Sequence, residues 1–239
     1  MQEAKIKFDH VTKVFHTRSQ DIIAVKDYSM EIRDGEFVAI LGPSGCGKST
    51  LIRMLDGIIP TTEGDIFIDG KKVNYANKKM PSEILRKMGF IFQQPNMLPW
   101  FTVRQNVALP LDVFGLKGKQ WQQRVDDLLE MVHDPEILLM DEPYGALDEL
   151  TREQMNMELL DIWSKTKKTI IFITHNIEEA VLLSDKVYVM GTQPGRLVEV
   201  VDLDLPRPRK LSMITETKFI NYRQYLENAI GEIDLSKIK

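Results

Sequence analysis

The sequence predicts an α/β fold organised around a mostly parallel sheet. Short, continuous apolar runs recur along the chain, and such runs are typical of strands buried on both faces. The runs are Glu36–Leu41, Gly89–Phe92, Ile137–Met140 and Thr169–Thr174. Polar side chains stand where three of these runs end, namely Gln93, Asp141 and His175. Because ligands bind α/β sheets at the carboxyl ends of the strands, a functional site is expected at that edge.

Further patterns assign the rest of the chain to strands, helices and one long loop. Ile6–Val11 alternates like a strand, Thr12–Gln20 is polar and is expected to be a loop, and Asp69-Gly70 predicts a hairpin turn. The other predicted strands are Ile22–Ile32, Asp65–Ile68, Lys71–Val73, Lys186–Met190 and Leu197–Val201. The predicted helices are Leu51–Leu55, Pro81–Lys87, Thr102–Val113, Lys119–Val132, Glu149–Lys165, Asn176–Leu183 and one or two within Ser212–Ile230.

The composition is that of an ordinary globular protein. The chain has 239 residues, of which 43% are hydrophobic and 28% charged, enough for one large domain or two small ones. Its net charge of −4 provides no basic field, so nucleic acid is not expected as a partner. The single cysteine, Cys46, excludes an internal disulfide and suits a reducing cytosol. The sequence has neither a signal-peptide core nor a run long enough to span a bilayer, so we expect a soluble protein.

The most specific motif is a glycine-rich loop between a predicted strand and a predicted helix. It consists of Gly42, Pro43, Ser44, Gly45, Cys46, Gly47, Lys48, Ser49 and Thr50, and it fits Gly-x-x-x-x-Gly-Lys-(Ser/Thr) without a mismatch. In this context backbone N–H groups curl around phosphates, and the helix N-terminus adds partial positive charge. Lys48 is expected to reach the β- and γ-phosphates, and the Ser49 hydroxyl is placed for Mg²⁺. The alternative is a chance glycine-rich turn, which the flanking strand and helix disfavour.

Two carboxylates, Asp141 and Glu142, follow the apolar run that begins at Ile137. Carboxylates at the end of a buried strand are costly unless they have partners. Mg²⁺ is a natural partner for Asp141, since enzymes with this loop hold the ion with an acid from a neighbouring strand. Glu142 is then placed to orient or deprotonate a water molecule. The alternative is a pair of capping acids.

Three further residues have two interpretations each. Phe15 is either a core residue at a strand end or an exposed ring on which a base stacks. Gln93 is either a loop glutamine or a ligand of the site, and spacing alone does not separate these alternatives. A lone histidine such as His175 is usually structural, but its position after a buried strand favours a side chain that points at the nucleotide.

The complete set of motifs resembles the ATP-binding subunits of ABC transporters, and within them the importers for nitrate, sulfonate and taurine. The resemblance extends from about Lys5 to Arg209. The matching segments are the phosphate loop Gly42–Thr50, the Q-loop Phe92-Gln93, the Walker B strand Ile137–Pro143, the D-loop Gly145–Asp148, the histidine switch Thr174-His175, and two segments that resemble the C-terminal strands of the importer group, Thr192–Arg196 and Leu205–Arg209.

This resemblance implies a role for each candidate residue. The implied roles are adenine stacking by Phe15, phosphate binding by the loop and Lys48, Mg²⁺ contact by Ser49, Gln93 and Asp141, base catalysis by Glu142, and γ-phosphate contact by His175. The implied fold is a P-loop NTPase core with an N-terminal antiparallel β subdomain and a shortened helical subdomain at about residues 95–132. Residues 1–209 would form the ATP-binding domain, and residues 210–239 a C-terminal helical tail.

The resemblance also implies a setting. ATP and Mg²⁺ would be the cofactors, and the partners would be a transmembrane permease, a second copy of the chain and, indirectly, a substrate-binding protein. The location would be cytoplasmic and peripheral, on the inner face of the cell membrane. The implied function is ATP hydrolysis that energises uptake of a small anion such as nitrate, a sulfonate or taurine.

The sequence departs from the family at its signature motif. No Leu-Ser-Gly-Gly-Gln segment or close variant stands before the Walker B strand, and the helix ending at Val132 continues directly into His133-Asp134-Pro135-Glu136. In the family the signature closes the nucleotide site of the partner subunit and donates to the γ-phosphate. The alternative function is therefore a nucleotide-binding subunit that hydrolyses ATP poorly. Another P-loop enzyme, such as a small-molecule kinase, does not account for Gln93, Asp148 and His175 in this order.

Overall fold

The computed structural model describes residues 4–73, 80–93, 102, 104–106 and 135–235. Apart from positions 102 and 104–106, the predicted helical subdomain at residues 95–132 lies outside the described residues. The same holds for most of the predicted helix Thr102–Val113 and for all of Lys119–Val132. Among the helices in the described ranges, none combines the length and the apolar character that crossing a membrane requires.

The described residues form two sheets and a set of helices. The strands are β1 (Ile6–His16), β2 (Asp21–Ile32), β3 (Phe37–Leu41), β4 (Glu63–Ile68), β5 (Lys71–Lys72), β6 (Met88–Ile91), β7 (Ile137–Asp141), β8 (Thr169–Thr174), β9 (Lys186–Gly191) and β10 (Arg196–Asp202). The helices are α1 (Lys48–Leu55), α2 (Ser82–Leu85), α3 (Glu149–Thr166), α4 (Ile177–Leu183), a 3₁₀ helix (Leu211–Thr215) and α5 (Thr217–Leu235). These elements confirm the predicted α/β class.

The N-terminal sheet is antiparallel, with the strand order β2-β1-β4-β5. The prediction of a loop over Thr12–Gln20 is wrong in its first half, because β1 continues to His16 and pairs Phe15 with Ile22 of β2. Polar residues are tolerated here since one face of an antiparallel sheet can be solvated. Register shifts after Phe8, next to His10 at φ 50, interrupt the simple alternation that would have revealed the longer strand.

The second sheet has the order β10-β9-β3-β8-β7-β6, and its strands from β9 to β6 are parallel. Strand β3 is buried along its whole length, as its continuous apolar sequence predicted. The strand predicted at Gly89–Phe92 is present as β6, but the prediction that it is buried is wrong, because Ile91 and Phe92 are 40% and 44% exposed. In the described part of the chain β6 is the last strand of this sheet, so it lacks a neighbour on one side.

Two hydrophobic clusters lie on opposite faces of the parallel sheet. Val38 and Ile40 of β3 join the cluster shared with α1 and the N-terminal sheet. Phe37, Ala39 and Leu41 join the cluster shared with α3, α4 and α5. This alternation explains why β3 is apolar at every position, since each face meets a different core. The layered arrangement fixes the loop after β3 at the carboxyl edge of the sheet.

The C-terminal helix α5 packs on the second cluster. Phe219 and Leu226 are fully buried, and Ile233 is 5% exposed. The segment that the sequence assigns to a helical tail after residue 209 is thus docked on the core. The division of the chain at that residue stays a prediction.

Candidate functional site

The loop between β3 and α1 has a backbone that requires glycine. Gly47 caps α1 with φ 99, a conformation that L side chains rarely adopt. A Cβ at this position would also lie 2.9 Å from the carbonyl oxygen of Ala24 on β2. The loop therefore passes close to the N-terminal sheet, and the first turn of α1 begins directly after it.

Lys48 is buried beneath this loop. Its ammonium donates to the carbonyl oxygens of Gly42 and Pro43 at 2.8 and 3.0 Å. It also lies 3.6 Å from Oε1 of Glu142, and the lysine side chain is only 5% exposed. A buried ammonium held by carbonyl oxygens and a carboxylate is a ready partner for a phosphate, which would compete with Glu142 for its charge.

Glu142 is the residue on which the site converges. Its Oε2 accepts a hydrogen bond from Nε2 of Gln93 at 3.2 Å and lies 3.1 Å from Nδ1 of His175. Its backbone N–H donates to the carbonyl of Ile173 on β8 at 3.0 Å, and its φ is 45. This left-handed conformation costs a non-glycine residue about 1–2 kcal/mol and persists only where surrounding contacts hold it. The predicted residues Lys48, Gln93 and His175 are thus brought together around one carboxylate.

Asp141 and Ser49 form the second half of the site. The Ser49 hydroxyl donates to Oδ1 of Asp141 at 3.2 Å. Burial raises the pKa of Asp141, and this effect exceeds the opposing effect of the hydrogen bond from Ser49. A hydroxyl and a carboxylate are oxygen ligands of the kind Mg²⁺ takes.

The geometry fits a magnesium ion shared with a ligand. In the described ranges, no group of three or more His, Cys, Asp or Glu residues is placed to hold a metal ion. Mg²⁺ is bound by one or two protein oxygens, with substrate phosphates and water completing its octahedron. Ser49 and Asp141 therefore suit this ion in the presence of a phosphate ligand.

A cavity of about 500 Å³ extends from the carboxylate of Glu142 across the glycine-rich loop to the N-terminal sheet. Its lining residues are Ile22, Ile23, Ala24, Ser44, Gly45, Gly47, Lys48, Ser49, Thr50, Gln93, Glu142, Gln193 and Gly195. The cavity thus combines a charged end at Lys48 and Glu142 with an apolar end at Ile22–Ala24. A nucleotide has the same division, since its phosphates are charged and its base is planar and largely apolar.

The remaining predicted residues lie beside the cavity and do not line it. The Cys46 thiol is buried in the first hydrophobic cluster, and burial raises its pKa. The Phe15 ring is 39% exposed, which excludes the interpretation of this residue as core. It pairs across the strands with Ile22, which does line the cavity. Lys13 places its ammonium 5.0 Å from the centre of the Phe15 ring.

The turn that closes the apolar end corrects a prediction, because Thr192–Arg196 was assigned to a C-terminal strand, whereas β9 ends at Gly191 and β10 begins at Arg196. Leu205–Arg209, assigned likewise, does not form a strand either. Gln193 and Gly195 line the cavity, and Gly195 donates its N–H to the carbonyl of Ala24 at 3.1 Å. A Cβ at Gly195 would lie 2.2 Å from the carbonyl oxygen of Cys46, so glycine is required there. The Pro194-Gly195 pair in the sequence indicates a turn but not which residues that turn packs against.

Comparison with known proteins gives a consistent result. The family model described as ABC transporter matches residues 25–143. An uncharacterized ABC transporter ATP-binding protein of Methanocaldococcus jannaschii is 37% identical, with 99% of this chain and 95% of the relative covered. An aliphatic sulfonates import ATP-binding protein of Bacillus cereus is 35% identical over 85% of this chain and 88% of its own length.

Solved structures of similar shape point the same way. A dimeric ATP-binding cassette in a post-hydrolysis state, bound to ADP and phosphate, has a TM-score of 0.66 and 27% identity. The match covers 84% of this chain and all of that one. A Clostridium perfringens protein, part of an ABC transporter complex, has a TM-score of 0.67 and 25% identity, covering 97% of this chain and 98% of its own.

The fold and the loop at its sheet edge define a nucleotide-binding protein of the P-loop NTPase class. Within that class the chain belongs to the ABC transporter ATP-binding proteins, which are transporter ATPases. The predicted family and fold are thereby confirmed. The roles of the individual site residues stay predictions.

Proposed function

We propose that the chain hydrolyses ATP to energise the import of a small anion such as nitrate, a sulfonate or taurine. The observation that carries the proposal is the convergence of Lys48, Gln93 and His175 on Glu142. Similarity to a Bacillus cereus protein that serves aliphatic sulfonate import supports the class of solute. The transported solute would not touch this site, since it would cross through a separate permease.

The arrangement assigns one chemical task to each side chain. Lys48 binds the phosphates, and this frees Glu142 to accept the proton of an attacking water molecule. His175 and Gln93 hold the Glu142 carboxylate in place. His175 would also contact the γ-phosphate, and Gln93 the metal ion. Ser49, Gln93 and Asp141 would hold Mg²⁺, which supplies charge stabilisation on the phosphate oxygens when bound. Phe15 provides a ring for the adenine at the rim of the apolar end.

The proposed partners follow from the same class of protein. The chain would pair with a second copy, dock on a transmembrane permease and act with a substrate-binding protein at the inner face of the cell membrane. A dimeric cassette and a member of an ABC transporter complex among the similar structures support this setting. Nucleic acid is not among the proposed partners.

A second candidate is a subunit that binds ATP but hydrolyses it poorly. It is favoured by the lack of a Leu-Ser-Gly-Gly-Gln segment before Ile137. The alignment with the Methanocaldococcus relative is 265 positions long, so at least 26 of them face gaps in this 239-residue chain. If the closing wall of each site is missing, each lost donor to the γ-phosphate would reduce the rate about 10²–10³-fold.

Steady-state ATP turnover of the purified chain, measured with nucleotide binding as a separate titration, distinguishes the two candidates. Glu142→Gln removes the proposed base, and we expect turnover to fall about 10²–10⁴-fold with binding retained. Glu216→Gln, at an exposed position outside the site, is the matched control. Binding without turnover above the Glu142→Gln level would reject the hydrolytic function in favour of the second candidate.

A further inference from the structure

A set of polar contacts surrounds the buried carboxylate of Glu179, between α3 and α4. The Thr174 hydroxyl donates to Oε2 of Glu179 at 2.5 Å. Nε of Arg152 lies 3.7 Å from Oε1 of the same carboxylate. Nη2 of Arg152 also donates to the carbonyl oxygen of Leu147 at 2.8 Å. These contacts join two stretches of the chain that are remote in sequence, residues 147–152 and residues 174–179.

Two members of the set, Thr174 and Glu179, are buried, whereas the side chain of Arg152 is 27% exposed. The side chain of Glu179 is 8% exposed, and Thr174 is 3% exposed. Burial raises the pKa of Glu179, while the hydrogen bond from Thr174 and the charge of Arg152 oppose this effect. Loss of a partner from a buried carboxylate strongly destabilises the folded protein. Arg152 and Thr174 are therefore held to Glu179, and displacement of one is expected to displace the others.

One end of this set holds the two residues that flank His175. The Thr174 hydroxyl, besides donating to Glu179, accepts the backbone N–H of Asn176 at 2.9 Å. Asn176 caps α4 through its side-chain oxygen, which accepts the N–H groups of Glu178 and Glu179. The residues on both sides of His175 are thus fixed, and its ring lies 3.1 Å from Glu142.

The other end holds the segment Gly145–Asp148. Arg152 binds the carbonyl of Leu147, and Asp148 caps α3 by accepting the N–H of Thr151 at 3.0 Å. Gly145, Ala146 and Asp148 are exposed, so this segment is open to contact from outside the chain. A displacement of the segment would reach Arg152 first.

We propose that Arg152 and Glu179 are positioning residues, which couple the exposed segment Gly145–Asp148 to the orientation of His175 against Glu142. The proposal rests on the hydrolytic function proposed above, and it deepens that function by naming how the histidine is held. Neither Arg152 nor Glu179 lines the cavity, so both residues would act on His175 through the neighbours that they hold. A ligand or subunit that moves the segment would thereby alter turnover.

Kinetics of Arg152→Met, His175→Ala and the double variant test this role. We expect Arg152→Met to lower kcat roughly tenfold with the KM for ATP unchanged. If Arg152 acts through His175, the double variant will be no slower than His175→Ala alone, whereas a general loss of structure would multiply the two effects. Glu179→Gln should resemble Arg152→Met. Multiplied effects, or a rise in KM equal to the fall in kcat, would overturn the proposal.

Hydrogen exchange gives a readout that does not depend on hydrolysis. In Arg152→Met we expect the amide of Asn176 and those of the first turn of α3 to exchange about tenfold faster. Arg223→Met is the control. Arg223, on α5, forms a similar ion pair at 3.8 Å with Glu178, which neighbours Glu179 on α4. If the wild-type chain does not hydrolyse ATP, only the proposed hydrolytic function is refuted. Amide hydrogen exchange would then still test whether Arg152 couples the segment Gly145–Asp148 to the residues around His175. The coupling would be rejected if the Asn176 amide exchanged at the same rate in Arg152→Met as in wild type, or if Arg223→Met changed that rate equally.

Discussion

At the scale of single residues, two adjacent carboxylates have different environments. Glu142 lies in a left-handed turn with three polar side chains around it. Asp141 ends its strand, is 7% exposed and accepts a hydrogen bond from Ser49. The first is placed to take a proton, and the second is placed to bind a cation. The burial of Asp141 without a bound cation has a measurable cost.

Asp141→Asn is expected to stabilise the free protein and to weaken its binding of Mg²⁺ with ATP. Burial raises the folded-state pKa of Asp141 above the unfolded value of about 3.9. The ionised form therefore disfavours folding above the folded pKa, and this penalty disappears as the pH falls towards the unfolded value. At pH 7 and without Mg²⁺ we expect the Tm to rise by a few degrees, measured by thermal unfolding.

Asp204→Asn serves as the control with the opposite sign. A hydrogen bond from Lys218 lowers the pKa of Asp204, so loss of its charge should leave the Tm unchanged or slightly lower. A lower Tm for Asp141→Asn at pH 7 would show that the buried charge is compensated in the free protein.

At the scale of elements, an ion cluster joins the two sheets at the end of the parallel strands opposite the cavity. The ammonium of Lys5 lies 2.6 Å from Glu136, 2.9 Å from Asp69 and 3.6 Å from Asp34. Lys87 also contacts Asp69 and Glu136, at 2.7 and 3.3 Å. Burial by itself lowers the pKa of Lys5, but the hydrogen bonds to Glu136 and Asp69 outweigh it and raise the pKa overall.

Lys5→Met should lower the free energy of unfolding by about 1.5–3 kcal/mol at neutral pH, in urea titrations. The raised pKa of Lys5 means that its contribution is complete below about 10.4 and is lost only as the pH rises through the folded value. The pKa values of Asp69 and Glu136 are lowered, so the contribution also declines as the pH falls below about 4. The difference from wild type should therefore be constant from pH 5 to about 9.

Lys71→Met is the matched control for this substitution. Lys71 is exposed on β5, and its ammonium lies 3.9 Å from Glu83. Exposed pairs contribute about 0–1 kcal/mol. Equal losses for the two variants would mean that the Lys5 cluster has no special role in joining the sheets.

At the scale of the whole molecule, the cavity beside the glycine-rich loop is lined by residues of both sheets. Ile22–Ala24 come from the antiparallel sheet, whereas Lys48, Gln93 and Glu142 follow strands of the parallel sheet. A ligand that fills the cavity binds both layers at once. It should therefore stabilise the entire fold, since a ligand specific for the native state raises its stability by mass action.

ATP should raise the Tm of the wild-type chain, and the rise should depend on Lys48. At a hundred times the dissociation constant the stabilisation is about 2.7 kcal/mol, or several degrees for a chain of this size. Lys48→Met removes the buried ammonium, and we expect its Tm to respond little to ATP in the same scan. Lys71→Met should respond like wild type. A Lys48→Met variant with the full ATP-dependent rise would exclude this cavity as the binding site.

The sequence predicted the burial of a strand in the parallel sheet correctly where that strand has neighbours on both sides. The apolar runs of β3, β7 and β8 are central strands, and their burial follows directly from their sequences. The run at β6 is equally apolar, yet its end is half exposed, and within the described residues β6 has a neighbouring strand on one side only. An apolar run indicates a strand but carries no information on how many neighbours that strand has.

The sequence by itself determined the class of the protein and the chemistry of its phosphate loop. That motif is contiguous, and its function depends on residues within a single turn of backbone, from Gly42 to Thr50. The tertiary structure alone decided that Gln93 and His175 meet at Glu142 and that Gln193 closes the far end of the cavity. The physical reason is that these contacts depend on the order of strands in the sheet and on a close backbone approach at Gly195. Both are set by packing between segments that are remote in the chain.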